Sequence, residues 1–250
     1  MTLAVDMQKN HFLYSVRACG RFDAEGQAWQ TVTIEYGRIE TWDDLQQMIL
    51  KSSWPIGESG NRMVAGRVAL DTGGGEDDSG LTRTEQAYLF LSRFSGHVFG
   101  IKGASRKQSR SISVTRVDVL PSTQQHIRPQ VIYLLDTGSF KDLLWERIEE
   151  GSHFFSASTG DDYLRQLLAE EKVLHRGQYI WKQRGGRPNH YLDCEMMHEA
   201  MNSSLWKPAL QGLRTAQGVV GEAKENTDKP KRKQRINPYT GMTAEEYWRR

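Results

Sequence analysis

Strand-length apolar runs alternate along this chain with segments of helical periodicity, and few layer architectures accept that order. The segment RMVAGRVALDTGGG at 62–75 is mostly apolar until it meets an acid and three glycines, which reads as a buried strand ending in a loop. HVFGIKG at 97–103 and PQVIYLLDTGS at 129–139 read as two more strands. Among them, WDDLQQMIL at 42–50 repeats Trp42, Leu45, Met48 and Ile49 at helical spacing. TRTEQAYLFLSRF at 82–94 predicts a helix capped by Thr82 or Thr84, and FKDLLWERIEE at 140–150 repeats its apolar residues with the helical period. DDYLRQLLAEEK at 161–172 and the stretch from Tyr191 to Trp206 predict two further helices, with a hairpin between them over VLHRG and QYIWKQ. Such alternation predicts an α/β layer fold with helices on both faces of a central sheet. In AVDMQKNHFLYSVRACG at 4–20, Phe12, Tyr14 and Val16 share a period of two, so this segment is two short strands or one bent one. With the strand expected around TVTIEYG at 31–37, it gives the sheet an antiparallel edge.

The length of 250 residues allows one substantial core, and Cys19 and Cys194 are too few for a disulfide framework. No run approaches eighteen apolar residues, and Asp6 interrupts the opening where a signal peptide needs an apolar stretch. A soluble protein of a reducing compartment, without a membrane role, is the expectation. The net charge of +2 hides a partition: residues 224–250 hold eight basic and four acidic side chains, while residues 1–223 hold 25 and 27. Within that slightly acidic body, Lys102, Arg106, Lys107 and Arg110 give KGASRKQSRS a local charge of +4. The patch can meet phosphates or simply be a solvated face. Residues 1–211 read as one domain, and 212–250 as a linker and basic arm carrying KPKRKQR at 229–235.

Two tripeptides, Asp71-Thr72-Gly73 and Asp136-Thr137-Gly138, match the motif of aspartic proteases. Those enzymes are all-β, whereas here both motifs lead into helices, so the match counts against rather than for that activity. A different set of acids has more chemical content. Asp6 lies in the first strand, Asp71 ends a later one, and Asp193 starts a helix. If the two strands are neighbours and the helix crosses their ends, three carboxylates converge, an arrangement that divalent cations stabilise. Hard oxygen donors imply Mg²⁺ or Mn²⁺, and two such ions can serve phosphodiester hydrolysis. Each acid also has a plainer reading, as a turn residue, a strand terminus or a helix-dipole charge, and the residues alone leave both open.

Taken together, AVDMQKN at 4–10, VALDTGG at 68–74, IKG at 101–103, DTGSFKDLLWERI at 136–148, SHFF at 152–155, DYLRQLLAEE at 162–171, Trp181 and NHYLDCEMMHEA at 189–200 resemble, in order, the nuclease domain of the large terminase subunit of tailed bacteriophages, the lambda-like GpA family. The resemblance spans roughly residues 3–205. It implies an RNase H-like α/β fold, a mixed central sheet flanked by helices, and a divalent-metal endonuclease that cuts concatemeric double-stranded viral DNA during packaging. The acids it implies as metal ligands are Asp6, Asp71 and Asp193, the same three that charge and placement single out. Lys102 and Lys141 also fall on family positions, where a lysine holds a phosphate or orients metal-bound water, and Lys102, Arg106, Lys107 and Arg110 are expected to contact DNA. Departures surround this set: Asp136 stands where glycine is frequent, His11 and Glu195 where arginine is, and His190 where glutamate is usual. We expect Asp136 to cap the helix after it.

The resemblance further implies a small terminase subunit and the procapsid portal as partners, and the cytoplasm of an infected bacterial host as the location. It also implies a packaging ATPase within the same full-length protein, but no GxxxxGK[ST] loop occurs in this chain. The chain is therefore expected to be the C-terminal part of a longer protein. A non-catalytic DNA-binding or assembly module, another RNase H-like enzyme such as a junction resolvase and, least favoured, an aspartic protease are the alternatives to a packaging nuclease.

Overall fold

The computed structural model describes residues 1–21, 29–55, 57–58, 60–73, 81–94, 96–104 and 108–206. The expected arm at 212–250 lies outside them, as do Arg106 and Lys107. An eight-stranded sheet forms the centre, built from β1 (Thr2–Met7), β2 (Phe12–Arg21), β3 (Trp29–Ile39), β6 (Arg67–Asp71), β7 (Val98–Gly103), β8 (Ile112–Val119), β9 (His126–Leu135) and β10 (His153–Phe154). Its order is β10-β3-β2-β1-β6-β7-β9-β8. The chain opens as an antiparallel meander of β1, β2 and β3, after which β6, β7 and β9 add in parallel on the other side of β1. A mixed sheet results, flanked by helices, and this architecture fits the RNase H-like expectation.

SISVTRVDV at 111–119, for which the sequence gives no element, supplies β8, an antiparallel edge strand on β9. Its burial is shallow, with Val114 61% exposed, so its alternation lacks the clean apolar face that marks a half-buried strand. Two minor pairs complete the strands: β4 (Trp54–Pro55) with β5 (Arg62–Met63), and β11 (Glu170–His175) with β12 (Gln178–Gln183). The helices are α1 (Trp42–Lys51), α2 (Arg83–Leu91), α3 (Thr137–Glu149), α4 (Asp161–Leu167) and α5 (His190–Asn202). The expected helix over 161–172 is shorter than its apolar pattern, because Glu170 already opens β11. Among the described residues, no helix is long and apolar enough to cross a membrane.

Alternation along β1 divides the core. Leu3, Val5 and Met7 join Val68 and Leu70 of β6, Leu45 of α1, and Ala87, Phe90 and Leu91 of α2. On the opposite face, Ala4 and Ala69 meet Cys194, Met197, Ala200 and Met201 of α5 and Phe140 of α3. Small residues on the strands let α5 approach the sheet closely. Local signals agree with this frame: Thr82 and Glu85 form a reciprocal capping box on α2, and the Asp136 carboxylate caps α3 by accepting from the Ser139 amide.

Helix α5 is buried nearly all round, yet it carries Glu195, His198 and Glu199 at 0% exposure. These charges are matched rather than tolerated. Arg17 of β2 reaches Glu195 at 2.6 Å and also donates to Thr33 Oγ1 at 2.8 Å and the Phe154 carbonyl at 2.5 Å. The Tyr163 hydroxyl donates to the same carboxylate. His153 lies between Glu195 and Glu199, at 3.2 and 3.0 Å, and Arg147 closes the chain on Glu199 at 2.9 Å. Burial raises the Glu195 carboxyl, but Arg17 and His153 outweigh it and hold the group below its usual range. His153 is thus part of the buried charge network that seats α5 on the sheet.

Two measurements probe this core. At Gly100 an added Cβ would stand 2.6 Å from Ile132 Cδ1 and 2.7 Å from Leu91 Cδ1. Gly100→Ala should therefore cost about 1–3 kcal/mol in urea unfolding; an unchanged midpoint would mean that both side chains yield freely. His198 is bonded to Thr2 Oγ1 at 2.7 Å and Ser15 Oγ at 2.9 Å, and burial pushes its pKa from 6.5 down to about 3. Below pH 6.5 the unfolded chain takes up this proton before the folded one, so stability falls with pH by about 1.4 kcal/mol per unit until the folded ring titrates. His198→Gln should flatten that slope relative to the parent, and equal slopes would show that the ring already titrates normally.

Candidate active site

Parallel pairing of β1 with β6 runs Thr2 to Arg67 through Val5 to Leu70, so Asp6 and Asp71 follow as the next pair at neighbouring strand ends. The two-residue period places Asp6 on the face of Ala4 and Asp71 on the face of Ala69, both turned toward α5. Asp193 sits in the first turn of that helix. The carboxylates feel one another. The Asp71 carboxyl is pushed well above its usual range by its enclosure, then by the charges of Asp6 and Asp193, against which the Gly73 amide at 2.9 Å and Lys102 act. Asp193 rises to about 6, first through burial, with Asp6 and Glu170 adding to it and Lys141 opposing.

Each acid is meanwhile engaged by donors. Asp6 Oδ2 accepts from Gln8 Nε2 at 2.5 Å and stands 2.9 Å from His190 Nδ1. The hydrogen bond to Asp6 is the main reason the His190 pKa is raised. Lys141 of α3 is buried, its ammonium shared between Glu170 at 2.7 Å and Asp193 at 3.2 Å. Asn189 donates to both Glu170 Oε1 at 2.8 Å and Asp193 Oδ2 at 3.1 Å. Hard carboxylate donors that repel one another are the chemistry a divalent cation fits. As the side chains stand, no three His, Cys, Asp or Glu groups among the described residues form a ready metal-holding set. Gln8 and His190 occupy an oxygen of Asp6, and Lys141 and Asn189 occupy those of Asp193.

The structure thus brings Asp6, Asp71, Asp193 and Lys141 together, with Lys102 exposed on β7 beside Asp71. Arg110 is exposed just before β8, and Arg106 and Lys107 lie outside the described residues. Sequence reasoning missed Glu170, Gln8 and Asn189. Glu170 could have been found from the pairing itself, since six-residue QYIWKQ demands a six-residue partner, which begins at Glu170.

An α/β sheet with paired acids at its parallel strand ends and a third on a crossing helix is an arrangement that suits a nuclease. The sequence model of the family described as "Terminase large subunit gpA, endonuclease domain" matches residues 1–210, and the chain belongs to that family, whose role is that of a nuclease in DNA packaging. No curated protein and no solved structure matches the chain significantly.

Because Asp71 is held against two like charges, Asp71→Asn should raise the stability of the chelator-treated protein by about 1 kcal/mol. Added Mn²⁺ should then raise the melting temperature of the parent and leave the variant nearly unmoved. A variant less stable than the parent in chelator would show that the acids do not oppose one another.

Proposed function

We propose that the chain is a divalent-metal-dependent endonuclease that hydrolyses phosphodiester bonds of concatemeric double-stranded viral DNA during genome packaging. The observation that carries this reading is the convergence of Asp6, Asp71 and Asp193 near the carboxyl ends of β1 and β6, where the charges of Asp6 and Asp193 add to the burial that opposes ionisation of Asp71, and that of Asp6 does the same at Asp193. Asp6, Asp71 and Asp193 would hold Mg²⁺ or Mn²⁺, and a bound pair of such ions supplies a nucleophilic water and stabilises the leaving oxygen. The protein's own part is positional. Asp6 and Asp71 are fixed by the pairing of their strands, whereas Asp193 is oriented by Lys141 and Asn189. Lys141 thereby acts through Asp193, and Lys102, exposed beside Asp71, is placed to meet a phosphate. Arg106, Lys107 and Arg110 belong to the same basic segment and would contact the DNA backbone.

Phosphate contacts position a duplex without reading it, so sequence choice would fall to a partner, for which the small terminase subunit is the candidate. The portal of the procapsid, a packaging ATPase within the same full-length protein, and the cytoplasm of the infected host complete this reading. The test is plasmid nicking by the parent and by Asp71→Asn with Mn²⁺, Mg²⁺ or chelator. Nicking by the parent with metal alone, and its loss in the variant to the level seen with chelator, is expected. Cleavage that survives the substitution would reject the site.

A further inference from the structure

Outside the acidic site, the most unusual surface belongs to the hairpin of β11 and β12. Six consecutive residue pairs hold it, from Glu170 with Gln183 to His175 with Gln178, and Arg176 and Gly177 make the tight turn with positive φ of 49° and 77°. Neither strand lies in the central sheet. Nearly all of it faces solvent, including side chains that proteins ordinarily cover: Leu174 is 64% exposed and Tyr179 68%. Charge on it is one-sided, since residues 171–187 contain five lysines and arginines against the single acid Glu171. Lys172 is paired with Asp142, and Arg184 with Glu171. Arg176, Lys182 and Arg187 are exposed and have no ion pair among the described residues.

The base of this arm is fixed. Trp181 donates to Asp142 Oδ1 at 2.9 Å and stacks on Trp145 of α3 at 6.3 Å. Glu170, its first residue, holds the Lys141 ammonium that also meets Asp193. Six residues of strand span about 20 Å, close to the width of a duplex, so the arm runs from the acidic site outward over that distance. Three cations without an ion pair along an exposed hairpin suit a polyanion better than they suit a protein surface.

We infer that the β11–β12 hairpin is a duplex-gripping arm, in which Arg176, Lys182 and Arg187 contact backbone phosphates and Tyr179 lies against the groove. The inference rests on the nuclease reading for its substrate, yet it concerns a surface distinct from the Lys102–Arg110 segment and from the metal-binding acids. Its consequence is directional. DNA held along the arm is anchored on the Asp193 side of the site, while Lys102 and Arg110 lie beyond Asp71 on the other part of the sheet.

The test measures binding of the full-length chain to a fluorescein-labelled linear duplex, by anisotropy in chelator, across a salt series. If all three cations meet phosphates, replacing them together by alanine should reduce the slope of log affinity against log salt by about 2.7, and weaken binding at least about tenfold at low salt. Tyr179→Ala should weaken binding without changing the slope. A triple variant with the parent's affinity and slope overturns the inference and leaves the arm free for a protein partner. Should the triple variant melt early, Arg176→Ala alone at the tip carries the same test with an expected slope change of about 0.9; an unchanged slope there overturns the inference equally. Because no metal is present, the result is independent of cleavage. Absent nicking with intact arm-dependent binding sinks the catalytic reading only, and the converse sinks the arm only.

Discussion

The pair of Arg17 and Glu195, 2.6 Å apart with both side chains wholly out of solvent, decides where helix α5 lies on the sheet. Burying two charges is costly, and attraction offsets that cost only when the remaining donors and acceptors are also matched. Arg17 meets that condition through Thr31, Thr33 and the Phe154 carbonyl, and Glu195 Oε1 through Tyr163, while Glu195 Oε2 faces His153 Nε2 at 3.2 Å without a hydrogen bond. A methionine-rich helix face could slide over Ala4 and Ala69 with modest loss. Moving Glu195 by one turn would strand both charges, at about 3–5 kcal/mol for one broken pair. The pair therefore contributes register more than it contributes stability, and register places Asp193, two residues earlier on the helix, above the ends of β1 and β6.

With that register fixed, the acidic site is held in tension. Asp71 and Asp193 resist ionisation first because they are enclosed, with the charge of Asp6 adding to both and that of Asp193 adding to Asp71, while Gln8 and His190 hold an oxygen of Asp6 and Lys141 and Asn189 hold those of Asp193. The Lys141–Glu170 pair connects this balance to the β11–β12 hairpin, so the hairpin base and the orientation of Asp193 share one ammonium group.

Much of this was legible in the chain. The strands that carry Asp6 and Asp71 were readable from apolar runs, the α2 cap as Thr82 or Thr84, and the α3 cap from Asp136, because each depends on neighbours within a few residues. Strand β8 was not, since an edge strand with exposed valine carries little of the alternation that burial imposes. Glu170 was hidden for a related reason: LLAEEK continues a helical apolar pattern, and only pairing with QYIWKQ ends the helix at Leu167.

The sequence by itself determined which residues alternate, where elements begin, and that three aspartates stand at the ends of three of them. Those are consequences of local sterics, capping and the two periodicities of helix and strand. Only the tertiary structure decided which strands are neighbours, that Arg17 finds Glu195 across 178 positions of chain, and that Lys141 is shared between an acid of the site and one of the hairpin. Such pairings are made by charges that must not be buried alone, and no local pattern records which partner will be near.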